Sequence, residues 1–131
     1  MVNVDIAAYG ATILFSHPPG GENAPLRRAF LETCAQEDID CVRFPSLPPS
    51  DDRSFGAAQI PTLTVASLTP AETHQLWLVM NGGHGLAPGT TPEIFRTIHT
   101  AGDVLAKVDP EGVARVQRLG VALVKNLSRT P

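Results

Sequence analysis

Short strand-like segments alternating with amphipathic helical ones predict an α/β protein, a layered sheet flanked by helices. Two observations carry this expectation. Three β-branched-rich segments, at residues 2–6, 40–44 and 60–66, are separated by stretches whose apolar residues recur at helical spacing. A final run from residue 110 to about 127 repeats Val113, Val116, Leu119, Val121, Leu123, Val124 and Leu127 near the helical period, the most regular pattern in the chain. Twelve prolines and eleven glycines punctuate the pattern, so the elements should be short.

In chain order, Val2, Val4 and Ile6 alternate with Asn3 and Asp5, which reads as a strand with Asp5 near its carboxyl end. Residues 16–25 read as a loop, with Asn23 as a helix cap and Pro25 in the first turn. From Leu26 to about Glu37, residues Leu26, Ala29, Phe30, Thr33 and Cys34 share one helical face. The strand at 40–44 leads into a proline-rich loop at 45–52, and one helical turn follows at 53–58. In the strand at 60–66, Pro61 is tolerable only near the start. Thr69, Pro70 and Glu72 are a capping signal for a helix over 70–80, ended by Asn81 and Gly82. A loop at 85–91 and a short helix at 92–97 complete the list of elements. Three or four strands leave at least one sheet edge unprotected. In such sheets ligands collect at the carboxyl ends of strands, where Asp5 and the loop after Phe44 are expected to lie.

Hydrophobic residues at 43% and charged residues at 18% exclude a disordered chain and suit one domain spanning 1–131. A net charge of −3 argues against nucleic acid as a partner. No apolar run approaches the roughly 18 residues that cross a bilayer, and none resembles a signal peptide. The expectation is a soluble protein whose compartment stays open. Cys34 and Cys41, seven apart, do not suggest a disulfide framework. Both fall on apolar faces and read as buried, inert thiols. His17 and His84 read as solvated loop histidines and His74 as a surface residue. Trp77 and its apolar neighbours read as core or domain-contact packing.

The candidate chemistry centres on Asp5 and His99, since a carboxylate oxygen and a neutral imidazole nitrogen are both zinc ligands. Thr100 and Asp103 after the histidine are expected to form a reciprocal cap that holds its turn, or Asp103 to accept from the ring N–H. The alternative is bland: a turn aspartate and a satisfied surface histidine.

Three motifs in this order resemble a known family. They are Asn3-Val4-Asp5 with Gly10; Ser50-Asp51-Asp52-Arg53-Ser54-Phe55 followed by Gln59-Ile60-Pro61-Thr62; and Ile98-His99-Thr100-Ala101-Gly102-Asp103 followed by Val108-Asp109-Pro110-Glu111. Together they are similar to the di-zinc aminopeptidases of the bacterial leucyl aminopeptidase type, whose relatives include glutamate carboxypeptidases and glutaminyl cyclases. The resemblance, over residues 2–127, implies a layered mixed sheet of the zinc-exopeptidase, phosphorylase/hydrolase-like fold, here incomplete. It implies that Asp5 and His99 each bind one of two zinc ions, and that Asp51, Asp52, Thr100 and Asp103 take supporting or substrate-side positions. Asp52 stands where the family carries His.

The family's His-x-Asp segment and Glu-Glu pair lie upstream of the Asn-x-Asp strand, and neither pattern occurs in this chain. The expectation is therefore the C-terminal portion of a larger zinc peptidase-like domain. It would act on a peptide or amino-acid amide in the complete protein, and be inactive and weak in zinc binding alone. Its partner would be the missing N-terminal half or a second copy. A non-catalytic α/β binding or assembly domain that has lost the metal site is the competing expectation. Chance motif matches in an unrelated α/β protein are the third.

Overall fold

The computed structural model describes residues 1–20, 24–82 and 91–129. Asn23 and His84 lie outside the described residues. So does all of the 85–91 loop except Thr91.

Ile13, Leu14 and Phe15 show no alternation of polar and apolar residues, and the fold supplies the reason. They form the middle of a strand buried on both faces, where a continuous apolar run is favoured. The sequence pattern predicts no element there. The described chain runs β1 (Val2–Val4), β2 (Thr12–Ser16), α1 (Ala24–Gln36), β3 (Cys41–Arg43), α2 (Asp52–Ala57), β4 (Leu63–Leu68), α3 (Pro70–Met80), α4 (Ile94–Thr97), a 3-10 turn (Leu105–Lys107) and α5 (Pro110–Arg129). The mixed sheet has the order β1-β4-β2-β3. β1 runs parallel to β4, β2 antiparallel to β4, and β3 parallel to β2.

Helices cover both faces, so the protein is α/β with three layers. On one side Ile13, Phe15, Leu63 and Val65 meet Leu26 and Phe30 of α1 and Leu119 and Leu123 of α5. Phe15 and Phe30 stack tilted, with ring centroids 5.0 Å apart. On the other side Leu14, Ala66 and Leu68 meet Leu76 of α3 and Ile94 of α4. The face of α1 read from the sequence is the face it buries. Asn126 of α5 donates to Thr33 Oγ1 and to Gln36 Oε1, both at 2.8 Å, and ties the two outer helices.

The cysteines correct the sequence reading: Cys34 and Cys41 are disulfide-bonded, with Cα atoms 6.2 Å apart. Local backbone geometry explains the approach. Asp38 takes a left-handed conformation with φ 54° just past α1, and Ile39 N donates back to Cys34 O at 2.9 Å. This helix-ending motif reverses the chain and starts β3 beside the last turn of α1. The third predicted strand also shifts, from 60–66 to Leu63–Leu68, because Ile60 N instead closes α2 by donating to Phe55 O.

At α3, Thr69 caps as expected, its hydroxyl oxygen accepting from Glu72 N at 3.3 Å. The Glu72 carboxylate does not return to the Thr69 backbone as a reciprocal cap would. Oε2 accepts from the Thr69 hydroxyl at 2.9 Å, and Oε1 accepts from Ile94 N, at the start of α4, at 3.0 Å.

Candidate functional site

At the carboxyl end of β1, which runs parallel to β4, a loop leaves the sheet and shares a cavity with α4 and the turn after it. Asp5 N still donates to Val65 O at 2.9 Å, so the Asp5 backbone extends the ladder by one residue. Ile6 then turns sharply with φ 56°, a left-handed conformation costly for a β-branched side chain. Its carbonyl accepts from Ser67 N at 2.9 Å and from the Ser67 hydroxyl at 3.2 Å. Ala8 O accepts from Asp109 N at 2.8 Å, fastening the same loop to the start of α5. Gly10 closes it against the corner between β4 and α3, where a Cβ would overlap the backbone of Leu68 and Thr69.

The opposite wall is α4 and the turn after it. Ile98 N completes the helix by donating to Ile94 O at 2.9 Å, and His99 follows with φ 61°. Thr100 and Asp103 hold this turn differently from the expected reciprocal cap. The Thr100 hydroxyl donates to Thr97 O at 2.7 Å and accepts from Gly102 N at 3.0 Å. Asp103 contributes its backbone N–H, to Thr100 O at 3.1 Å. No α-helix starts at Thr100; the chain makes a turn and then the 3-10 segment, because the hydroxyl is spent inside its own turn. Lys107 links this segment to α4, with Nζ 3.0 Å from Glu93 Oε1 and 3.1 Å from Thr97 Oγ1.

Between the two walls lies a cavity of about 290 Å³, lined by Asp5, His99 and Asp103 together with apolar residues such as Ile6, Ile94 and Ile98. Asp5 is half-buried and His99 exposed. The two residues paired in the sequence reading thus share one cavity. Tyr9 and Lys107 line it as well and were not anticipated. Tyr9 stands four residues past Asp5, in the same short loop, which is the one sequence signal that pointed to it.

Asp51 and Asp52 do not line this cavity. β3 runs antiparallel to β1, so the loop after Phe44 leaves from the end of the sheet where β1 and β4 begin. Asp52 Oδ1 accepts from Ser50 N at 3.2 Å, within its own turn. His17, expected in solvent, is buried at the end of β2, with Nδ1 2.9 Å from Pro18 O. His74 is exposed, as expected.

As chemistry, the cavity offers two carboxylates, Asp5 and Asp103, and the His99 imidazole, side chains of the types that bind zinc. Among the described residues, no three or more His, Cys, Asp or Glu side chains are grouped to hold a metal ion. A complete zinc site takes three or four protein ligands. No described helix is long and apolar enough to cross a membrane. No family model, curated protein or solved structure matches the chain.

Proposed function

We propose that this chain is the C-terminal portion of a zinc-dependent aminopeptidase-like hydrolase domain, with Asp5 and His99 each contributing one ligand to one of two zinc ions. The supporting observation is that these two residues, far apart in sequence, line a single cavity at the carboxyl ends of β1 and β4. Both stand at strained backbone: Ile6, next to Asp5, has φ 56° and His99 itself φ 61°. When bound, zinc supplies a polarised carbonyl and an activated water for hydrolysis of an amide at a substrate's amino terminus. This chain's own share is to orient the two ligands and to present an apolar wall beside them.

A second reading is a non-catalytic binding or assembly domain with the same cavity. It is favoured by apolar side chains left exposed near the mouth, Leu105 at 84% exposure and Val104 beside it.

The test is the intact mass and zinc content of the native product from its own cell, with Asp5→Asn and His99→Ala variants made in the same protein. The first reading expects a mass well above 13.9 kDa, two zinc ions per chain, and one ion lost in each variant. A native mass equal to this chain's, with no zinc, would support the second reading and sink the first. Isolated, the chain should not cleave an amino-acid anilide. Zinc-dependent cleavage that His99→Ala abolishes would contradict that expectation.

A further inference from the structure

We infer that Ser67 and Glu72, on either side of the corner between β4 and α3, are positioning residues that set the spacing between the Asp5 and His99 walls of the cavity. This rests on reading that cavity as a ligand site.

Neither wall is stiff by itself. One is a loop leaving a three-residue strand; the other is a turn after α4, a helix of four residues with little internal hydrogen bonding to hold it. Each is tied to the same corner by a buried polar side chain.

Ser67, at 0% exposure, lies in a strand buried along its whole length, where Ala or Val would pack without polar cost. Its hydroxyl is spent on the Asp5 loop: it donates to Ile6 O at 3.2 Å and accepts from Tyr9 N at 3.4 Å. It thereby holds both ends of the strained turn.

Glu72 is 7% exposed, and burying a carboxylate is costly unless its oxygens are bonded. Capping α3 does not require it, since the Thr69 side chain does that. What Glu72 adds is an acceptor, Oε1, for Ile94 N, one of the first-turn donors that α4 cannot satisfy internally. The helix that ends one residue before Ile98-His99 is thus anchored at its start to α3.

Both tethers spring from one short stretch, with Gly10 packed on the same Leu68–Thr69 backbone. The separation of the two walls follows the corner instead of the loops.

Amide hydrogen exchange by NMR on the full chain tests this in Ser67→Ala, Glu72→Ala and Glu72→Gln. Exchange should quicken roughly tenfold at residues 6–9 in the first variant and at residues 94–99 in the second, with β2 and α1 unchanged. Glu72→Gln keeps an acceptor for Ile94 and a partner for Thr69, so it should restore protection. Unchanged exchange at both walls, or an even rise across the whole sheet, overturns the inference. Should Glu72→Ala fail to fold, Glu72→Asp, which keeps the charge and shortens the reach, replaces it, and Ser67→Ala decides independently. The zinc content of the native product judges the metal reading, while the exchange pattern judges the tethers.

Discussion

Gly10 and Gly120 show how one residue type takes opposite roles. A Cβ at Gly10 would overlap backbone atoms of Leu68 and Thr69, which have no side-chain freedom to yield. Gly10→Ala should therefore destabilise the fold by about 3 kcal/mol and loosen the Asp5 loop, read as a lower urea midpoint. At Gly120, inside α5, a Cβ meets nothing within 4 Å. Gly120→Ala should raise stability by about 0.5–1 kcal/mol through helix propensity alone, and a lower midpoint would contradict that. The Gly10 constraint is invisible in its tripeptide, because the overlapping atoms belong to a strand more than fifty residues on.

Among elements, the corner between α1 and β3 depends on a covalent link that helical patterning did not reveal. Cys34 reads correctly as a buried position and, in fact, sits in the core cluster, but the same position also brings Cys41 within bonding reach. The bond closes a short loop, so the entropy it removes from the unfolded chain is modest, about 2–3 kcal/mol. Thermal unfolding with and without reductant should show a loss of that order. A Cys34→Ser, Cys41→Ser chain that melts with the oxidised one would mean that the Asp38 turn and the helix packing suffice. The ion pair between Lys107 and Glu93 should matter far less, since its side chains are 38% and 58% exposed. Lys107→Met should cost under about 1 kcal/mol.

For the molecule as a whole, the sheet formed by the described residues ends in two edges, β1 and β3. Val4 is exposed on the β1 edge, and Val121 and Val124 on α5 are exposed as well. Unpaired edges beside apolar surface favour association. The purified chain should elute from size exclusion larger than a monomer, and a clean, stable monomer would count against an uncovered partner surface. The same accounting qualifies the reading of α5: its apolar residues run at helical spacing as expected, yet only Gly112, Leu119 and Leu123 are buried.

What the sequence determined by itself is local. The α/β class, the buried face of α1, the Thr69 cap and the long terminal helix follow from periodicity and capping chemistry, which act within one or two turns of chain. Asp5 at the end of a strand and His99 on a turn were legible for the same reason. Tertiary structure decided everything that depends on which strand lies beside which. It placed β2 between β4 and β3, where burial on both faces erases the alternation that marks a strand. It reversed β3, which carried Asp51 and Asp52 away from the cavity, and it buried His17. It also brought Asp5 and His99 to one cavity, through long-range pairings whose energy comes from contacts between segments and leaves no trace in either segment alone.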